Sequence, residues 1–239
     1  MKQIYEKYTK EDVHVWQTLF ERQVQNLADK SCQNYLECLT EMKEVLNANK
    51  IPKFEELNQT LMSKNGWSIE VVPGLIPVED FFQLLSQKKF CSSTWLRKME
   101  QLDYLEEPDM FHDVFGHIPL FMDNNYADFA QKIGEIGVKY KNDEQILLEL
   151  QRIYWFTIEF GLIKGDRPEI YGAGLISSYG ETNSIYSGQS EILKFDLKKI
   201  IQTDFCNSEM QTLYFLLESF DELYQSIDQY SLDLKALNN

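Results

Sequence analysis

The sequence predicts a mostly α-helical protein with a few short strands, folded as one domain. Three observations carry that reading. The chain has 239 residues, 44% hydrophobic and 13% aromatic, enough for one substantial core. Apolar residues recur at helical spacing through most of it, and only short runs read as strands. No repeat, low-complexity tract or linker rich in glycine, proline or serine divides it.

Taken in order, Thr9 and Asp12 form a capping-box pattern, and Val13, Trp16, Phe20, Val24 and Leu27 follow at helical spacing. Ser31 can cap a second helix with Leu36, Leu39, Val45 and Leu46 on one side. Phe54, Leu57 and Leu61 mark a third, stopped near Asn65-Gly66. Trp67 to Val72 reads as a strand that ends at the Pro73-Gly74 turn. Asp80 to Gln87 reads as a short helix, Phe90 to Leu96 as extended chain, and Pro108 as the first turn of a helix. Tyr126 to Tyr140 and Glu144 to Leu162 are strong helical patterns. Arg167 to Ala173 reads as strand or loop, and Ser178 to Ser187 as helical. Gln211 to Asp228 reads as a long amphipathic helix through Leu213, Leu216, Leu217, Phe220 and Leu223. Residues 1–66 are expected to form an N-terminal helical part and residues 67–239 the core, within one domain overall.

Charge narrows the partners. Thirty-eight acidic residues against 23 basic ones leave a net charge of −15. Nucleic acid is not an expected partner, because phosphate binding needs a basic footprint. The same holds for an anionic membrane surface. The apolar stretch Ile153 to Ile163 is too short to span a bilayer and contains Glu159. The opening MKQIYEKYTKEDVHVW lacks the apolar centre of a signal peptide. The expected location is the cytoplasm. Cys32, Cys38, Cys91 and Cys206 form no CxxC pair and read as buried thiols.

Candidate chemistry centres on the histidines, of which there are three. His14 sits among Val13, Val15 and Trp16 and reads as a packing or surface residue. His112 and His117 lie together in PDMFHDVFGHIPLF. Their spacing separates side chains by roughly 140° on a regular helix. Two ligands for one metal would therefore need the helix to distort or end near Gly116, which glycine tolerates, with Pro119 stopping any continuation. The third ligand candidate is Glu159, a lone carboxylate in the apolar run RIYWFTIEFGLI. It either pairs or binds a cation where it is buried, or it stands exposed on a helix edge. Two histidines and one carboxylate suit non-haem Fe(II) and also zinc.

Four blocks, VVPGLIPVEDFF, YLEEPDMFHDVFGHIPLF, IYWFTIEFGL and YGAGLISSYGE, resemble the tetrahydropterin-dependent aromatic amino acid hydroxylases in wording, order and spacing. The resemblance covers roughly Trp67 to Phe220. It implies a single catalytic domain of that type, with Fe(II) held by His112, His117 and Glu159. It implies that Arg97 grips the carboxylate of the amino acid substrate, steadied by Asp109, a role suited to a planar guanidinium fork. Ser177 would stand near substrate and metal, and Tyr104, Trp155 and Phe160 would line the aromatic pocket. A tetrahydropterin (tetrahydrobiopterin or a relative) would lie over Phe81, against Gly74, Leu75, Ile76 and Val78, with Asp113 and Tyr154 at its edge. Glu181 would be a second carboxylate near the iron. Departures from the pattern are Cys91, where animal members commonly carry histidine, Asp113 in place of glutamate, Glu106 in the substrate loop, and the polar Asn207. The implied reaction is ring hydroxylation of a free aromatic amino acid with O2, phenylalanine to tyrosine first, with tryptophan or tyrosine as alternative substrates. A non-catalytic acidic helical binding protein with a structural metal is the alternative from another class. Neither a regulatory domain nor a tetramerising coiled coil is expected, so the expected state is a monomer.

Overall fold

The hydroxyl of Thr9 accepts the Asp12 N–H at 3.2 Å, while the Asp12 carboxylate accepts the Thr9 N–H at 2.7 Å. That capping box starts α1 (Lys10–Leu27) in the computed structural model, which describes residues 1–103, 107–207 and 209–237. Helix α1 buries Trp16, Leu19, Phe20 and Leu27. Val13 and Val24, expected on the same face, are exposed. Helices α2 (Gln33–Glu41) and α3 (Phe54–Asn65) follow. Ser31 does not cap α2: its hydroxyl bonds the Ile170 carbonyl, and Cys32 holds the cap position without a side-chain bond. Val45 and Leu46 lie beyond the end of α2, in a turn that still buries Leu46. Gly66, at φ +84°, ends α3 as expected.

A small βαβ unit comes next. Strand β1 (Ser68–Val71) pairs in parallel with β2 (Lys89–Ser92), from Ser68↔Lys89 to Val71↔Ser92, and α4 (Val78–Ser86) makes the crossover. Only the first part of the expected extended run Phe90 to Leu96 is therefore strand. Helix α4 packs closely against α5 (Asn124–Lys139). Gly134 and Gly137 permit this, since a Cβ at either would meet α4 atoms at 2.3–2.5 Å.

The segment expected to be one helix from Glu144 to Leu162 is three elements. Helix α6 (Glu144–Tyr154) widens into a π turn (Trp155–Glu159) and is followed by β3 (Leu162–Lys164). Strand β4 (Pro168–Ile170) returns antiparallel, and α7 (Ala173–Ser177) and α8 (Tyr179–Ser184) follow. Next come β5 (Glu191–Lys194) and α9 (Leu197–Ile200). The predicted helix from Gln211 is corrected. Its first part is β6 (Leu213–Leu217), and the last helix, α10 (Phe220–Leu237), begins only after Glu218-Ser219. The run LYFLL is short and apolar throughout, so periodicity cannot tell strand from buried helix. The outcome is decided by two parallel partners, as β6 lies between β3 and β5 in the order β4-β3-β6-β5.

One continuous core runs from Val15 on α1 to Leu234 on α10, so the mostly helical fold is a single domain. Among the described residues no helix is long and apolar enough to cross a membrane. None of the four cysteines forms a disulfide; Cys32 and Cys38 are buried, Cys91 is half-buried, and Cys206, against expectation, is exposed.

Candidate metal and cofactor site

The helix that starts at Met110 opens into a π turn over His112–His117. A π turn closes hydrogen bonds over five residues, so residues five apart come to stand over one another. This is the distortion the histidine spacing requires. The two imidazoles meet with centroids 4.9 Å apart and Nε2 atoms at 3.1 Å. Local chemistry supports the turn. Pro119 has no N–H for the carbonyl four residues back, that of Phe115, and the buried Tyr35 hydroxyl donates to that carbonyl instead at 2.8 Å. Pro119 does not end the helix but sits in a 3-10 turn, Ile118–Met122. Gly116 lets the turn lie directly on α7, where a Cβ would stand 2.9 Å from the Ala173 carbonyl oxygen.

The second π turn brings in the carboxylate. The Phe160 N–H reaches back five residues to the Trp155 carbonyl at 2.9 Å. Glu159 is not exposed on a helix edge. Its Oε1 lies 3.2 Å from His117 Nε2, and its Oε2 lies 3.6 Å from His112 Nε2. One atom from each of the three residues lies within 4.8 Å of the others. Burial alone would push Glu159 up, but the two imidazoles and the Tyr154 hydroxyl outweigh it and hold the carboxyl at about 2. Burial, together with His117, outweighs the pull of Glu159 on His112 and brings that imidazole down to about 4. At neutral pH the set therefore offers an anionic carboxylate and a neutral His112.

Ser177 fixes the His112 tautomer. Its hydroxyl donates to the Ala173 carbonyl at 2.8 Å, so towards His112 Nδ1, also at 2.8 Å, it can only accept. The proton sits on Nδ1, and the Nε2 lone pair faces the cluster. His117 is 1% exposed, and its Nδ1 finds no hydrogen-bond partner among the described residues. Two imidazoles and a carboxylate converging in a buried site fit a divalent cation, with one side left open to a cavity.

That cavity has a volume of about 290 Å³. All seven residues expected around the pterin, Gly74, Leu75, Ile76, Val78, Phe81, Asp113 and Tyr154, line it together with the three metal-site residues and Trp155. Phe81 meets Tyr154 edge-on at 5.0 Å. Asp113 accepts the Ser93 N–H at 3.0 Å, and burial raises its carboxyl well above the usual range. Cys91 also lines the cavity, its thiol pushed up to about 12 by burial.

The residues expected around the amino acid divide. Trp155 faces the cavity, and Phe160 packs on it at 4.6 Å. Arg97, Asp109, Phe160 and Ser177 stand outside the lining. Arg97 Nε and Nη2 grip Asp109 at 2.9 and 2.8 Å, with both side chains buried. Asp109 also accepts the N–H of Arg97 at 2.9 Å and of His112 at 3.1 Å, tying the arginine to the metal turn. Burial pushes the Asp109 carboxyl up, but Arg97 overrides it and holds it below the usual range. Tyr104 and Glu106 lie outside the described residues, and Asn207 is exposed.

Glu181, expected as a second carboxylate near the iron, is not one of the three converging residues, and its Oε1 accepts the Gln211 N–H at 3.4 Å. Gln151 and Phe205 line the cavity without having been foreseen. Gln151 stands three and four residues before Tyr154 and Trp155 on the helical side of that segment, a spacing that could have shown it. Phe205 lies in an irregular loop and had no such signal.

Fold and site together define a mononuclear, non-haem metal enzyme whose metal opens onto an aromatic, largely apolar slot. The chain matches the family model of biopterin-dependent aromatic amino acid hydroxylases over residues 3–238 and belongs to that family. The match extends through the N-terminal helices, beyond the Trp67 to Phe220 span of the motifs. The chain is 40% identical to the phenylalanine-4-hydroxylase of Chromobacterium violaceum, over 95% of this chain and 76% of that protein. It is 39% identical to that of Ralstonia nicotianae, over 95% and 72%. A solved structure of the Chromobacterium violaceum enzyme, with bound iron(III) and 7,8-dihydrobiopterin, superposes with a TM-score of 0.91 at 40% identity, covering 100% of this chain and 86% of that one.

Proposed function

We propose that this chain is an iron- and tetrahydropterin-dependent monooxygenase that hydroxylates free phenylalanine to tyrosine with O2. The observation that carries this is the opening of the His112, His117 and Glu159 cluster directly onto a cavity lined by every residue expected to hold the pterin. The names of the relatives supply the substrate. When bound, ferrous iron with tetrahydropterin supplies the electrons that divide dioxygen between the substrate ring and the pterin.

The protein's own residues supply position. His112, His117 and Glu159 hold the metal from one side, and Ser177 keeps the His112 lone pair turned towards it. Phe81 and Tyr154 wall the pterin, and Asp113 stands at its edge. Arg97 offers the substrate carboxylate the Nη1 edge that Asp109 does not use. Trp155, backed by Phe160, orients the ring, and the apolar walls keep bulk water out. The working state is a monomer in the cytoplasm.

The test is anaerobic loading with Fe(II), then tetrahydropterin, O2 and one amino acid at a time, with mass spectrometry for a product one oxygen heavier. Tyrosine from phenylalanine is the expected product. A hydroxylated tryptophan or tyrosine in its place would change the substrate and keep the reaction. His112→Ala, His117→Ala and Glu159→Ala are each expected to abolish turnover and iron retention. Near-normal activity in any one, at matched iron loading, would remove that residue from the site.

A further inference from the structure

Among the described residues, Trp155 is the one aromatic of the expected substrate pocket that lines the cavity, and its orientation has a definable cause. The ring stacks on Phe205, with centroids 4.7 Å apart and 21° between planes, and meets Phe160 tilted, at 4.6 Å and 38°. These two contacts restrain the tilt of the indole but give its N–H edge no polar partner. The in-plane setting comes from one hydrogen bond, from Trp155 Nε1–H to Gln211 Oε1 at 3.2 Å.

Gln211 is itself 8% exposed and pinned on several sides. Its Nε2 donates to the Leu213 carbonyl at 2.5 Å, its N–H donates to Glu181 Oε1 at 3.4 Å, and its carbonyl accepts the buried Tyr214 hydroxyl. The amide can face only one way, since an indole only donates and a carbonyl only accepts. Gln211 does not line the cavity. It reaches the cavity only through the indole.

We propose that Gln211 is a positioning residue for the aromatic ring of the substrate: it sets the Trp155 indole from the segment just before β6 and so governs how well the amino acid is held. This rests on the function proposed above, with Trp155 as the wall against which the ring lies. The pterin is walled by Phe81 and Tyr154, which Gln211 does not touch. Loss of the glutamine acts on one ligand and spares the other.

The experiment compares the unsubstituted chain with Gln211→Met, Trp155→Phe and the double variant, each loaded with iron. It measures KM for phenylalanine, KM for tetrahydropterin, tyrosine formed per pterin oxidised, and calorimetric binding of phenylalanine. Gln211→Met is expected to raise the phenylalanine KM and Kd by about three- to tenfold, the scale of one lost hydrogen bond. It is expected to lower the tyrosine yield per pterin and leave the pterin KM unchanged. Trp155→Phe, which deletes the donor, is expected to raise the phenylalanine KM as well. Adding Gln211→Met to it should then change nothing more, because the two residues act as a unit. A folded Gln211→Met with an unaltered phenylalanine KM overturns the proposal, as does an equal rise in both KM values or an undiminished effect in the Trp155→Phe background. Should Gln211→Met not fold, Trp155→Phe decides, and an unchanged phenylalanine KM there overturns it. If the unsubstituted chain makes tyrosine while the variants match it, this inference alone falls. If it makes none, the proposed function falls and takes the inference with it.

Discussion

His112 is held from behind as much as it is offered in front. A serine hydroxyl with a single proton, already given to the Ala173 carbonyl, dictates which imidazole nitrogen is bare. The Arg97–Asp109 pair shows the same economy. One carboxylate binds the guanidinium on two nitrogens and the main chain of the metal turn on a third donor. Removing either partner would strand a buried charge at a cost of about 3–5 kcal/mol. Glu181 behaves differently. Burial raises its carboxyl from 4.5 to about 7. Between those values the folded protein holds this proton more tightly than the unfolded chain does. The contribution of Glu181 to stability is therefore full below the ordinary carboxylate value and is lost as pH rises to about 7. In the metal-free protein, Glu181→Gln is expected to narrow the difference in Tm between about pH 5 and about pH 8. An unchanged difference would mean that Glu181 is not the group responsible. The convergence of His112, His117 and Glu159 was legible in the sequence, because two histidines and an isolated carboxylate are chemically conspicuous and lie within long motifs. The direction of Glu181 was not. Its Oε1 accepts the N–H of Gln211, which lies just before β6 in a segment read as helix.

At the level of elements, the site depends on two helices that each widen by one residue per turn. The sequence made a distortion near Gly116 necessary if both histidines were to serve one metal, yet it could not specify a π turn, because nothing local distinguishes it from a helix that simply ends. The cause lies elsewhere in the chain, in the Tyr35 hydroxyl and in the contact with α7. Gly116→Ala puts this to the test. A methyl group 2.9 Å from the Ala173 oxygen must push the turn away from α7 and move His112 relative to His117. Iron affinity is expected to fall about tenfold or more, as for other losses of support behind a ligand. Competition with a chelator measures it, and an affinity equal to that of the parent would show that the turn tolerates the shift. The helices α1, α3, α4 and α5 were legible because each has a wide apolar face and a recognisable start or stop. Strand β6 was not, since five apolar residues in a row carry no period and only pairing with β3 and β5 distinguishes the outcomes.

The whole molecule carries 15 excess negative charges on one small core. Like charges at that density repel one another, and the repulsion is relieved in the expanded chain. Salt shortens the reach of these charges to about 8 Å at physiological ionic strength. The Tm of the metal-free protein is therefore expected to rise from low salt to about 0.15 M salt, by more than any loss from its mostly exposed ion pairs. A fall would show that local pairing outweighs net repulsion. The strand order has a further meaning for how the protein comes into being. Synthesis delivers the N-terminal helices, then both metal turns, then β3, β4 and β5, but the strand that sits between β3 and β5 emerges only at residues 213–217. Until it arrives, the ribosome holds a chain in which β3 has β4 on one side only, β5 has no neighbour, and Trp155 has no glutamine to fasten it. The nascent chain can collapse early but finishes late, and over that interval its unpaired edges are open to other chains or to chaperones.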